Sequence, residues 1–539
     1  MSKNTSCLRK INNSRLGVKL LVLPPLLIFG VTETSVKAIA QPVAKEIKVG
    51  IVQRFGDEAK EQLQLEAVAG DRLTLSIPGG KKPQTLQASK VTLEVTMQPL
   101  PQPVLSERVV LGIFRSFETA EESAQRWRAM GIPVEVAQPE RWQVWAKRDV
   151  YKTPILRRLL MGSLQAKGNQ IAYLDSQVVQ EIPKISWIVN GNRYSNNVVD
   201  ISTSKNLVKV SQGSSDRQGI VYPGSLRLQP NAYGSYTLVN NVDVESYLRG
   251  VVPNEIGAKA PYTAVEAQTI IARTYALRNL RRFAIDNYEL CADIHCQVYK
   301  GLSGVAPNSD RAIAATKGQV LTYEDKLVDA LYSSTTGGVT AKFSDVWNGQ
   351  DRPYLQPVID SPGNVWNLSR QSLANEENFQ RFINTKQGFN EVGWKTFRWR
   401  KESSMEDLTK DLRKYLEVNR SPLARFRTLQ GLQVVERSPA GRILRLSVQT
   451  DIGTFELLKD DIRSAFSAPR STLFYLEPVK KGENPLWGYA FVGGGFGHGV
   501  GLSQTGSYRL SALGWSSKRI LNFYYPGTEI QVLSARVNP

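Results

Sequence analysis

An α+β fold, with mixed strands and helices forming a grooved core behind a strand-rich N-terminal region, is what this sequence predicts. Three observations predict it. Residues 46–100 alternate apolar and polar side chains in the strand manner, as in Ile47-Lys48-Val49, Leu73-Thr74-Leu75-Ser76-Ile77 and Val91-Thr92-Leu93-Glu94-Val95. Two helical patterns meet at a short break carrying Pro253 and Pro261. No regular strand–helix alternation runs through the chain, which argues against a doubly wound parallel sheet. At 539 residues the chain exceeds what one compact domain usually holds, so two or three domains are expected.

Residues 1–40 read as a secretory leader. Lys3, Arg9, Lys10, Arg15 and Lys19 precede an apolar run from Leu20 to Val31, and Ala38-Ile39-Ala40 offers small residues at a cleavage site. The competing reading is an uncleaved membrane anchor. The brevity of the run and its interruption by Pro24-Pro25 argue against it. The expected location is therefore outside the cytoplasm, in periplasm or cell wall, with membrane contact only through the leader if it stays attached. The formal charge of +19 stays strongly positive when the leader is set aside. A basic chain favours anionic partners. Export excludes nucleic acid and leaves an anionic wall polymer.

Further along, Gly79-Gly80 marks a turn, and Pro99, Pro101 and Pro103 read as a linker closing a strand-rich region at 41–105. Val109 to Phe114, a helical run from Thr119 to Met130, then Pro133-Val134-Glu135-Val136 and Trp142-Gln143-Val144-Trp145 make a strand–helix–strand series. With Gly112-Ile113-Phe114 at its opening, the segment 106–180 resembles a SPOR domain, a small module that binds peptide-free glycan. Strands near Leu226 and over Tyr236–Val239 lead into Asp243, an N-cap for a helix whose apolar face is Val244, Tyr247, Leu248 and Val251. Pro253 ends that helix and Pro261 opens the next, in which Ala264, Ala267, Gln268, Ile271, Tyr275 and Arg278 follow at helical spacing. Gly431–Ser438 and Ala440–Val448 read as a hairpin.

Glu255 lies in the break between these two helices. A carboxyl there can face a groove while the flanking helices hold it rigid. By composition alone it reads as a surface loop residue. Three other segments stand out. Ser333-Ser334-Thr335-Thr336-Gly337-Gly338 follows an apolar strand and reads either as a polar turn or as hydroxyls lining a sugar groove. In Gly493-Gly494-Gly495-Phe496-Gly497-His498-Gly499-Val500-Gly501-Leu502-Ser503-Gln504 the glycines imply close approach of backbone to a ligand or to another segment. Cys291 and Cys296, with His295 beside the second, are a disulfide pair in an oxidising compartment.

These segments, in this order, resemble the SpoIID/LytB family of bacterial cell-wall proteins over roughly residues 185–535. Leu502 stands where the family has Met, Thr336 where it has a second Ser, and a variable insert falls near 366–425. The resemblance implies a SpoIID/LytB domain over 181–535 that acts on peptidoglycan glycan strands, with Glu255 as the acid/base of a lytic transglycosylase and Arg273 as a second functional residue. It implies a substrate groove lined by Gln268, Tyr275, Ser334, Thr335, Gly337, Gly338, His498 and Gln504. A lytic transglycosylase needs one catalytic carboxyl and no cofactor. Some family members bind zinc in the Cys-His-Cys segment, so a structural zinc on Cys291, His295 and Cys296 is the alternative to the disulfide. Two other functions stay open: a non-catalytic activator of a cell-wall amidase, and a scaffold that only binds glycan.

Overall fold

The computed structural model describes residues 45–79, 82–213 and 218–534. The leader expected at 1–40 lies outside the described residues. Residues 41–539 make one compact unit of mixed strands and helices, an α+β arrangement.

A seven-stranded sheet forms the frame. Its order is Leu290–Cys291, Glu46–Phe55, Tyr236–Asp243, Ser225–Pro230, Val199–Ser202, Leu73–Ile77 and Gln84–Ala88. The alternation seen in the sequence is the reason it packs: Ile47, Val49, Leu73, Leu75, Val199, Ile201, Leu228 and Leu238 are buried on its inner face. Strand Glu46–Phe55 pairs antiparallel with Tyr236–Asp243 and parallel with Leu290–Cys291. The N-terminal strand is thus part of the core, and the separate strand-rich region expected at 41–105 is not how the chain is built. Long-range pairing joins segments that lie far apart in sequence.

The proline segment is no linker either. Lys90–Phe114 is one long strand, paired with Tyr173–Val189 on both sides of an irregularity between Pro99 and Val104. Prolines are tolerated there because the ribbon is solvent-exposed and its register slips at that point. Beyond it, the two strands enclose helix Phe117–Ala129, strands Val134–Ala137 and Trp142–Ala146, and helix Pro154–Ala166. The strands order as Tyr173–Val189, Lys90–Phe114, Trp142–Ala146, Val134–Ala137, all antiparallel, which is the split βαβ arrangement.

Helix Val244–Val252 is capped as its sequence requires: the Asp243 carboxylate accepts from the N–H groups of Glu245 and Ser246 at 3.0 and 3.1 Å. The next helix, Tyr262–Arg278, is buried almost all round, so it serves as a core rod rather than a surface helix. At the C-terminal end, Tyr332–Ser333 pairs parallel with Leu502–Ser503, bringing two of the conspicuous segments side by side. The expected hairpin is present, Leu429–Arg437 against Ile443–Thr450. The segment near 366–425 is woven in. Its strand Trp399–Ser404 pairs with Asn484–Gly493, and its Glu391 is fully buried.

Candidate active site

Glu255 sits in a π-helical turn, Pro253–Gly257, wedged between the two helices. Such single turns recur at functional sites because they re-aim one side chain without breaking the rod. The Glu255 Oε1 accepts the Val298 N–H at 2.7 Å, and Tyr332 and Gln504 favour the charged form of its carboxyl. The Gln504 Nε2 also donates to the Glu255 backbone carbonyl at 3.1 Å. Burial pushes the Glu255 pKa above the ordinary carboxyl value, with Val298, Tyr332 and Gln504 opposing the rise. Behind the carboxyl, buried hydrogen bonds run from the Tyr247 hydroxyl to Gln297 Oε1 at 3.3 Å and from Gln297 Nε2 to the Tyr332 hydroxyl at 3.2 Å. A mostly buried carboxyl with a raised pKa and fixed donors is equipped to hold and release a proton.

The carboxyl opens into a groove of about 470 Å³, within the usual range of small-ligand clefts. Tyr275, Tyr332 and Val298 line it beside Glu255; Ser334, Gln504, His498 and the half-exposed Phe496 make one side. His498 is neutral. Its Nδ1 accepts the Val500 N–H at 3.0 Å, and burial together with Arg463 pushes its pKa down to about 3. Its ring lies 5.0 Å from that of Trp347. His498 is therefore a fixed polar surface and not a proton shuttle near neutral pH.

The opposite wall comes from the split βαβ unit. Arg115, Ser116, Phe117 and Glu118, at the start of helix Phe117–Ala129, face the same groove. Ion pairs hold this wall in place: Arg282 to Glu118, Arg281 to Glu121, and Arg115 to Asp460 at 3.3 Å. Arg115 Nη1 also donates to Ser464 Oγ at 2.7 Å. Nothing local in the sequence signals this contact, because its partners lie more than a hundred residues apart.

Several expected groove residues lie elsewhere. Arg273 is fully buried and does not reach Glu255. Its guanidinium forks onto Glu245 at 2.8 and 2.6 Å and donates to the Gln319 carbonyl at 3.0 Å, tying the two helices to strand Gln319–Tyr323. Gln268 is fully buried on the same helix and does not line the groove. Thr335, Gly337 and Gly338 form a layer beneath the groove. The Glu391 carboxylate accepts the N–H groups of Thr336, Gly337 and Gly338 and the Ser503 hydroxyl. Arg442, also fully buried, donates to the Thr336 and Val339 carbonyls at 2.6 and 3.1 Å. The glycines serve this packing. Gly499 and Gly501 hold φ of 74° and 73°, and a Cβ there would strike Arg442 Nη2 and the Leu331 carbonyl. Glu391 and Arg442 were not legible, since a lone acid and a lone arginine in charged segments carry no signal of burial.

Cys291 and Cys296 are joined in a disulfide with Cα atoms 5.6 Å apart. Among the described residues no cluster of His, Cys, Asp and Glu is arranged to hold a metal. His295 is exposed at the groove rim. The disulfide closes the loop that leads to Val298, the backbone donor on Glu255.

Comparison with known proteins agrees with this anatomy. Residues 232–323 match the family model described as stage II sporulation protein, which contains Glu255, both flanking helices and the disulfide loop. Residues 341–501 match a domain of unknown function, DUF8618. The chain is 25% identical to an uncharacterised protein of Brachyspira hyodysenteriae over 378 residues, 68% of this chain and 89% of that one. It is 27% identical to the amidase enhancer of Bacillus subtilis over 370 residues, 60% of this chain and 49% of that one. It is 26% identical to stage II sporulation protein D of Bacillus amyloliquefaciens over 317 residues, 54% of this chain and 75% of that one. The match therefore spans about half the length of the amidase enhancer. The chain thus carries a domain similar to the stage II sporulation protein family over residues 232–323, with weaker similarity to the amidase enhancer and to stage II sporulation protein D over a longer span.

Proposed function

We propose that this protein is an exported peptidoglycan-remodelling enzyme, a lytic transglycosylase that cleaves the MurNAc–GlcNAc bond with Glu255 as its single acid and base. The observation that carries the reading is the state of the carboxyls around the groove. Glu255 is mostly buried, raised in pKa and opposite an open cleft. Glu118 is paired with Arg282, and Asp460 is held between Arg463 and Arg115 with its pKa below the ordinary value. Neither is free to act as the second carboxyl of a hydrolase.

One carboxyl suffices for the following sequence. Protonated Glu255 gives its proton to the bridging oxygen as the bond to the anomeric carbon breaks. The resulting carboxylate takes the proton of the C6 hydroxyl of the same muramic sugar. That oxygen then bonds to the anomeric carbon, closing a 1,6-anhydro ring. Glu255 ends protonated, and no water or cofactor is consumed. The Val298 N–H and Tyr332 stabilise the carboxylate stage. Export agrees with the wall-related names of the relatives. No helix among the described residues is long and apolar enough to cross a membrane.

A second reading has its own support in the similarity to the amidase enhancer: the chain binds glycan and stimulates a cell-wall amidase without cleaving it. The two separate on Glu255→Gln. Release of soluble glycan from purified wall falls at least about 100-fold in an enzyme that loses its general acid. Unchanged stimulation of an amidase by the variant, with no glycan release by either form, would favour the activator.

A further inference from the structure

The helix Pro154–Ala166 projects apolar side chains into solvent. It buries only Arg157, Leu160 and Leu164 against the sheet, while Ile155 is 71% and Leu159 65% exposed one turn apart. The apolar surface continues onto the ribbon. Val109 pairs with Leu174, Glu107 with Ser176 and Leu105 with Val178, and alternation puts all three pairs on one face. Val109 is buried in the core cluster that also contains Leu160 and Leu164 of the helix; Leu105 and Val178, beyond the helix, are 50% and 59% exposed.

Charge surrounds this patch with one sign. Between Asp149 and Asp175 the chain has no acidic residue and carries Lys152, Arg157, Arg158 and Lys167. Glu107 is buried and taken up by both arginines, with Arg157 at 3.0 Å and Arg158 at 3.2 Å, and Asp175 on the adjoining strand is paired with Arg108 and Arg420. A neutralised acid, surplus cations and projecting aliphatic side chains are the composition of an element that lies in a lipid interface. A second copy of the chain is a poor occupant, since a symmetric contact would bring two acid-free basic stretches together. Glycan is poor too: Ile and Leu offer a sugar neither hydrogen bonds nor an aromatic face.

We propose that the surface built from Ile155, Leu159, Leu105 and Val178, with Lys152 and Lys167 around it, docks on an anionic lipid bilayer. The split βαβ unit that walls the groove would then also set the protein beside the membrane. This extends the expectation that only the leader touches membrane, and it does not depend on the chemistry of Glu255.

The test is co-sedimentation of the compact unit from Gln41 onward with vesicles of phosphatidylcholine, pure or mixed with phosphatidylglycerol. Binding is expected to rise with phosphatidylglycerol content and to fall as salt is added. Ile155→Ser with Leu159→Ser should weaken it about tenfold or more with an unchanged melting temperature, because both side chains are already in solvent. Lys152→Gln with Lys167→Gln should reduce the dependence on phosphatidylglycerol. Equal binding to both vesicle types, or undiminished binding by the serine variant, would overturn the proposal. So would light scattering that shows a dimer dispersed by the same two serines.

Discussion

Glu255 is held in a state that favours chemistry over stability. Its pKa is raised by burial, so the buried carboxylate destabilises the fold once pH exceeds that raised value, and protonation relieves it. Glu255→Gln should therefore melt at a higher temperature than the parent at neutral and alkaline pH. The gap should begin to narrow as pH falls through the raised pKa and close only at the ordinary carboxyl value, which a series of thermal melts would read. If Glu255 is the acid proposed above, the same ionisation should set the alkaline limb of cleavage, because that acid must start protonated. Tyr332 lowers the Glu255 pKa, so Tyr332→Phe should move that limb to higher pH. An unmoved limb in a pH–rate profile would separate Tyr332 from the acid. Glu255 was legible because prolines punctuate the chain on both sides of it and leave a single acid in the break. The role of Tyr332 was not, since a tyrosine at the end of an apolar strand reads as packing until the fold brings it to residue 255.

Arg273 acts between elements. Its ion pair with Glu245 locks the two helices that frame the turn carrying Glu255, and both side chains are largely removed from water. Removing one partner of such a pair leaves a stranded charge, so Arg273→Ala should destabilise the protein by about 3–5 kcal/mol in chemical denaturation. If the variant folds, its pH profile should keep the parental alkaline limb, because Arg273 does not touch Glu255. The disulfide loop is a second element-scale device. Cys291→Ser with Cys296→Ser should lower kcat more than it alters KM, since the loop presents the Val298 N–H to Glu255. Here the sequence was legible in part. The helix caps, the break and the hairpin carry local signals of propensity and turn chemistry. The partners of Arg273, and the buried Glu391 and Arg442 beneath the Ser-Ser-Thr-Thr-Gly-Gly turn, depend on contacts that no periodicity encodes. The glycines of the second motif were rightly read as close approach, but what they approach is protein.

At the scale of the whole molecule, the groove is composite. The SpoIID-like core supplies Glu255, and the split βαβ unit supplies Arg115, Ser116, Phe117 and Glu118. That unit is continuous in sequence and was visible as strand and helix patterns, but its docking over the site was not, because the ion pairs that fix it span more than 150 residues. Glu118→Ala with Glu121→Ala should loosen the wall, raise KM several-fold and leave the alkaline limb of cleavage in place, as steady-state kinetics across pH would report. The central claim concerns the bond broken and the end it leaves. The most direct measurement is mass spectrometry of purified glycan strands incubated with the protein and with Glu255→Gln. The account requires 1,6-anhydromuramic ends from the parent and none from the variant. Reducing ends from the parent, or anhydro ends that persist in Glu255→Gln, would contradict it.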